Sequence, residues 1–289
     1  MRPYISVFFF VLIFLACPLR AEEKLIVKHY QQHDRYNFGL KVLTLALSKL
    51  QYPFEIQTPE HQYANEKRGE HQVIIGQLDL QWMSTTPHRE NEMIPIKIPI
   101  YRGILGLRLL LVKNDRSNQL GTIDTIDDLR NYAGGHGLHW GDLPVYQANN
   151  LPVVTHINYD NLFQMLIGKR FDYFHRGLNE IWEEQGRYSD QLSIVDNVML
   201  FYPHPVYYFV TKKRPQLATQ LEKGLKIAVE DGSFEKLFLE NFSHIIQQGQ
   251  LERRKLIVLQ NPVVPEKTDP IDTSWWLPQK FQSQLKHSP

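Results

Sequence analysis

The sequence predicts an α/β protein in which short strands alternate with amphipathic helices. Two observations carry that prediction. Some stretches repeat apolar residues at helical spacing, while others run apolar, β-branched and aromatic without a break. The composition is that of a chain with a sizeable core: 43% of the 289 residues are apolar and 22% charged. This length suggests two compact units, or one large one.

In chain order, Lys24-Leu-Ile-Val-Lys28 reads as the first strand. Phe38, Val42, Leu43, Leu45, Ala46, Leu47 and Leu50 form a stripe that predicts a helix over 36–50. Residues 53–57 form a short strand, a polar helical stretch stops at Gly76, and residues 78–83 give the next strand. Residues 104–113 are a strongly apolar strand, and Thr125-Ile-Asp-Asp128 reads as a capping box that Gly134-Gly-His-Gly137 later breaks. Residues 160–167 predict a helix closed by Gly168, with 171–174 as the following strand. Residues 206–212 form an aromatic strand, and two helices follow on Leu217, Leu221, Leu225, Ala228 and then on Phe234 to Ile246. The tail after Asn261 carries Pro262, Pro265, Pro270, Pro278 and Pro289 and reads as an extended wrap or a partly disordered stretch, with Trp275-Trp276 packing on the body or serving as an interaction segment.

The first 21 residues read as an address. Arg2 precedes the apolar run of residues 5–16, which is too short to span a bilayer comfortably but fits a signal-peptide core with cleavage after Ala21. A lipoprotein site at Cys17 is the rival reading. Cys17 is the only cysteine, so a chain cut after Ala21 has no disulfide and no cysteine-based metal or catalytic site. No later run is apolar enough to span a membrane. The expected location is a bacterial periplasm, without stable membrane insertion. With 32 Lys+Arg against 31 Asp+Glu, the chain lacks the basic surplus of a sequence-independent nucleic-acid binder.

Motifs for chemistry are missing from the sequence: there is no Gly-x-Ser-x-Gly, no P-loop and no His-Glu-x-x-His. Glu180, Glu183 and Glu184 read as solvated acids rather than a glycosidase pair. His136 and His139, three apart with no supporting Cys, do not make a zinc site. No enzyme activity, cofactor or metal is expected.

Four stretches, in order, resemble a known family. They are Ser84-Thr-Thr-Pro-His-Arg89 with Pro99-Ile-Tyr101, residues 159–172 (YDNLFQMLIGKRFD), residues 217–234 (LATQLEKGLKIAVEDGSF), and the leader. Together they resemble the bacterial extracellular solute-binding proteins of family 3, the amino-acid type of periplasmic receptor. The resemblance implies a type II two-lobed fold, with lobes joined by two crossing strands at about 107–113 and 206–212. Lobe 1 would comprise 22–108 and 205–289, and lobe 2 would comprise 109–204. It implies a monomer that captures a small polar, anionic or amino-acid-like solute between the lobes for an ABC permease. The alternatives on the same fold are a sensory or scaffold protein facing a membrane sensor, and a periplasmic dehydratase or cell-wall hydrolase.

Arg89 is the leading binding residue. Its planar guanidinium matches a carboxylate bidentately, and the resemblance places it where the family's arginine grips an α-carboxylate. The alternative is a surface pair with Glu90 or Glu92. Thr85 and Thr86 offer hydroxyls to the same anion, or simple turn chemistry. Residues 135–142 (GHGLHWGD) lie where the family places the first loop of lobe 2, so Trp140, His139 and Asp142 are candidates, with Trp140 as core filler and Asp142 as a helix cap the alternatives. Arg176 falls on or beside the position where amino-acid receptors supply an acid, and reads as a second anion clamp or as the partner of Glu180 one helical turn on. Tyr30 is a candidate by its place after the first strand.

Overall fold

A computed structural model describes residues 24–31, 37–59 and 66–286. The expected leader and Cys17 lie outside the described residues. The elements are β1 (Leu25–Lys28), α1 (Asn37–Ser48), β2 (Phe54–Gln57), α2 (Glu66–Ile74), β3 (Leu80–Ser84), α3 (Pro87–Glu92), β4 (Ile94–Ile96), β5 (Leu107–Lys113), α4 (Ser117–Leu120), α5 (Ile126–Leu129), β6 (Gly134–Gly137), α6 (Leu143–Ala148), β7 (Val153–His156), α7 (Tyr159–Ile167), β8 (Tyr173–Gly177), α8 (Ile181–Arg187), β9 (Leu192–Ile194), β10 (Val198–Phe201), β11 (Val206–Val210), α9 (Pro215–Glu230), α10 (Ser233–Gly249), β12 (Lys255–Val258) and α11 (Gln279–Lys286).

These strands build two groups. In the first, β1 and β2 pair in parallel and β3, β11 and β4 form an antiparallel ladder in the order β3-β11-β4. Side chains join the two pieces. The Lys28 N–H donates to the Asp79 carboxylate at 2.7 Å, and the Gln31 amide spans Trp82, donating to its carbonyl at 2.8 Å and accepting from its N–H at 2.9 Å. Each bond replaces a missing ladder rung, which satisfies backbone groups that burial would otherwise penalise. The second group is one seven-stranded mixed sheet, ordered β12-β10-β5-β8-β6-β7, with β9 also on β5. Successive residues of β5 face opposite ways, as strand pleating requires. Leu109 and Leu111 join the core under α1, α7 and α9, while Leu110 and Val112 join a second core with Tyr146, Tyr173 and Ile257.

Three expectations are corrected or refined. Residues 134–137 are a strand, β6, rather than a break. The aromatic rings of the neighbouring β8 region press onto this backbone, and a Cβ at Gly135 would lie 2.3 Å from the Phe171 ring, so the glycine answers close packing. The crossings lie immediately before the strands at 107–113 and 206–212. β5 lies within the seven-stranded sheet and β11 within the three-stranded ladder, and the chain passes between them at residues 97–106 and 202–205. Finally, β12 lies inside the stretch expected in lobe 1, yet it pairs in parallel with β10 in the seven-stranded sheet.

Candidate functional site

The first cluster grows from the end of β3. Thr86 has extended backbone and caps α3, its hydroxyl accepting from the Arg89 N–H at 3.2 Å, with Pro87 opening the helix. This cap sets Arg89 in a first turn whose side chain folds back over Ser84, donating to the Ser84 carbonyl at 2.7 Å. The rest of the guanidinium meets α2: Nη2 donates to Glu66 at 2.6 Å and to Glu70 at 3.0 Å, and Nε donates to Glu70 at 3.1 Å. One oxygen of Glu70 thus accepts from two arms of the fork. Neither Glu90 nor Glu92 is the partner. Glu90 instead accepts from the buried Thr85 hydroxyl at 2.7 Å and pairs with Lys97. The Thr85 and Thr86 hydroxyls are therefore engaged in turn and cap chemistry. Tyr30 is core: its ring covers Gly69, its hydroxyl accepts from Gln81 at 2.9 Å, and it packs with Val73, Met83 and Phe209.

The second cluster stands on the seven-stranded sheet. Asp142 occupies the cap position of α6 but makes no capping bond. Its carboxylate accepts from Arg108 at 3.0 Å and from the Tyr202 hydroxyl at 2.5 Å, and His136 Nε2 lies 3.3 Å away. Arg108 also donates through Nε to Tyr202 at 2.8 Å. Burial alone would raise the Asp142 carboxyl, but the His136 contact and the Arg108 charge hold it well below the usual carboxylate range. Burial alone would lower the Arg108 guanidinium, and the Tyr202 and Asp142 oxygens raise it instead.

Arg176 forms a third cluster. Nε and Nη2 donate to the two oxygens of Glu184, both at 2.7 Å, and Nη2 also pairs with Glu180, the expected partner one turn on. Its guanidinium stands 4.9 Å from the Trp140 and Phe174 ring centres and 5.5 Å from that of Tyr159. Trp140 itself lies nearly parallel to Phe174 at 6.0 Å, so it fills lobe 2 beside the arginine. His139 is exposed, whereas His136 is buried against His175 and Tyr146. Among the described residues no group of three His, Cys, Asp or Glu could hold a metal ion.

His204 lies between β10 and β11, and burial and the Arg108 charge push it down to about 4, while Asp142 and Glu66 act the other way. The adjacent Pro205 carbonyl accepts from the Thr85 N–H at 3.0 Å, fixing the passage between groups to the end of β3. The structure therefore brings Arg89, Thr85 and Thr86 together on one side and Asp142 with Arg108 on the other. It sets Arg176 and Trp140 in their own cluster and places Tyr30 and His139 in none.

Sequence reasoning missed Arg108, Glu66, Glu70, Tyr202 and His204, and it read Glu184 as a solvated acid, whereas Glu184 is buried against Arg176. Only Arg108 carried a signal, a lone arginine inside the apolar run ILGLRLLLVK.

None of the known family models and none of the curated proteins matches the sequence. Solved structures do match. An ancestral arginine-binding protein bound to arginine is similar over 75% of this chain and 97% of its own, at 16% identity and a TM-score of 0.50. YckB of Bacillus subtilis is similar over 76% of this chain and 90% of its own, at 17% identity and a TM-score of 0.52. The chain has the α/β, two-lobed fold of the periplasmic binding proteins.

Proposed function

We propose that this protein is a periplasmic solute-binding protein that holds a small amino-acid-like solute between its lobes for a membrane transporter. Binding is the whole activity, with no turnover, and the protein acts as a monomer. Lobe 1 is the group of β1 to β4 and β11, and lobe 2 is the seven-stranded group, β12 included. The observation that carries this reading is that the connecting segment 202–205 joins the two polar clusters: the Tyr202 hydroxyl donates to Asp142, and the Pro205 carbonyl accepts from the Thr85 N–H beside Arg89. A polar cluster at the connecting segments is where a hinged pair of lobes can enclose a solute.

The charge balance favours an amine-bearing solute over a plain anion. Arg89 is matched by Glu66 and Glu70, and Arg176 by Glu180 and Glu184. An anion reaching for Arg89 must displace Glu70 and leave that carboxylate to be resolvated. Glu66 and Glu180, with side chains 48% and 39% exposed, remain able to receive an ammonium group. A zwitterion can exchange its carboxylate with Glu70 on Arg89 while its amine meets the surplus acid.

A thermal-shift screen of the mature protein tests the reading, with amino acids, amines, dicarboxylates and cell-wall fragments as probes. A ligand at 100 times its dissociation constant stabilises a fold by roughly 2.7 kcal/mol. Amino acids are expected to shift the melting point, and the shift is expected to fall in Arg89→Ala and Arg108→Ala. A stronger response to dicarboxylates overturns the charge argument. No response to any probe overturns the transport reading in favour of a signalling or scaffold role. The internal occupation of the Arg89 and Arg176 forks is the observation that favours that second role.

A further inference from the structure

We propose that the C-terminal tail, residues 259–281, is a brace across the hinge: it grips both connecting segments and resists a change in the angle between the lobes. The tail starts on the seven-stranded sheet. Leu259 N–H donates to the Phe201 carbonyl at 2.8 Å, at the end of β10. The Asn149 side chain at the end of α6 clamps Gln260, donating to its carbonyl at 2.8 Å and accepting from its N–H at 3.0 Å. The Asn261 side chain then donates to the Pro203 carbonyl at 2.8 Å, inside the second connecting segment.

The tail ends on the other group. The indole N–H of Trp276 donates to the Arg102 carbonyl at 2.8 Å, inside the first connecting segment, and Asp272 pairs with the Arg102 guanidinium. Trp275 lies beneath that guanidinium at 3.9 Å and meets Phe234 and Phe238 of α10 edge-on. Trp276, Leu277 and Phe281 are buried.

The segment held in this way is conformationally unusual. Arg102 has φ 47° and Gly103 has φ 81°, so the chain reverses hand where it leaves the first strand group. A left-handed arginine persists only when its surroundings fix it. Here an acid and a ring from the tail hold the Arg102 side chain, and an indole N–H from the tail holds its backbone carbonyl. Between the two anchored ends, Pro262, Pro265 and Pro270 restrict the backbone, so the span behaves as a semi-rigid strut. A rotation of one lobe against the other must either bend this strut or release one anchored end.

Hydrogen–deuterium exchange on the full chain tests the brace without any ligand, so its outcome is independent of the solute-binding reading. Asp272→Asn alters a side chain that is 56% exposed, and Trp276→Phe keeps a ring while removing its N–H. Each is expected to speed exchange of the Arg102, Ile104 and Gly106 amides roughly tenfold, a local opening on the scale of sub-global fluctuations. The Tyr202 amide, which donates to the Gly106 carbonyl, is expected to quicken with them, although Asp272 does not touch it. Amides in the middle of α9 are expected to stay unchanged. Unchanged exchange at residues 101–106 and at Tyr202 overturns the brace. Equal acceleration in α9 under Asp272→Asn overturns it as well, because the tail would then be supporting the whole fold rather than the hinge.

Discussion

Arg89 and Arg176 are chemically alike and are held differently. Each meets two glutamates from an adjacent helix, and each carries one carboxylate in excess. Around Arg176, however, Glu184 is 4% exposed and three aromatic rings close the site. Around Arg89 the covering is looser by degree: Glu70 is 13% and Glu66 48% exposed, and no aromatic ring closes over the guanidinium among the described contacts. Burial decides what such a pair is for. A pair sealed from water cannot exchange partners without leaving a bare charge, so Arg176 holds structure. The Arg89 set is less sealed, because its Glu66 can exchange at modest cost while Glu70 stays largely covered.

The sharpest way to break this comparison is Glu184→Ala. It leaves Arg176 buried with one half-exposed acid and also removes the acceptor of the Tyr159 hydroxyl, which donates to Glu184 at 2.5 Å. A loss of about 3–5 kcal/mol is expected in urea unfolding. Glu184→Gln is expected to cost less, since an amide still accepts from the guanidinium. A loss below about 1 kcal/mol for Glu184→Ala would place the Arg176 pair with solvent-screened pairs and end the contrast.

The second test uses pH. His175 neighbours Arg176 on β8, stacks on Tyr146 at 3.9 Å, and has no hydrogen-bond partner on either ring nitrogen among the described residues. Burial, then the His136 charge, hold it well below the ordinary histidine range. Below pH 6.5 the unfolded chain takes a proton at this residue that the folded chain refuses. Stability is therefore complete above about pH 6.5 and declines on acidification, by up to about 1.4 kcal/mol per pH unit, until the depressed folded value is reached. His175→Phe is expected to remove that part of the slope. An unaltered slope between pH 6.5 and 4.5 would show that His175 is hydrated in the folded protein.

The alternation of strand and helix was legible because burial imposes a period. The stripes at Val42, Leu43, Ala46 and Leu47, and at Leu217, Leu221, Leu225 and Ala228, are all buried. The capping box at Thr125 also forms, with both of its reciprocal bonds. Residues 134–137 escaped because glycine carries no strand propensity, and only the rings of Tyr173, Phe171 and Trp140 packed on Gly134, Gly135 and Gly137 explain it. β10 and β12 are short apolar runs, which spacing alone cannot assign to a sheet. The charge partners were illegible for a different reason. Thr86 and Arg89 stand three apart, and their cap is written locally, whereas Glu66 and Glu70 reach Arg89 across a strand. A sequence marks which residue can bind an anion; only the fold reveals that the chain supplies the anion itself.

Arg89→Ala is expected to cost about 1–2 kcal/mol, well below Glu184→Ala. It removes a tie between α2 and α3 but leaves Glu66 and Glu70 able to hydrate. Urea midpoints of the two variants measured side by side check the ranking. Equal losses would mean that the Arg89 pair is as sealed as that of Arg176, and the receptor role for Arg89 would go with it.

The smallest expected effect falls on the cap that sets Arg89 in place. Thr86→Ala removes the acceptor of one N–H at the start of a short helix, for about 1 kcal/mol, and Thr86→Ser is expected to restore it. The value of this variant lies in its ratio to Arg89→Ala. The Arg89 side chain donates to Ser84, Glu66 and Glu70, and these bonds can hold the first turn of α3 without help from Thr86. If they do, Thr86→Ala costs less than Arg89→Ala and leaves any ligand-induced thermal shift in place. If Thr86→Ala costs as much as Arg89→Ala and abolishes that shift, the network around the guanidinium contributes little of its own. The cap would then be what presents Arg89, and the two glutamates would be placeholders that a solute carboxylate replaces.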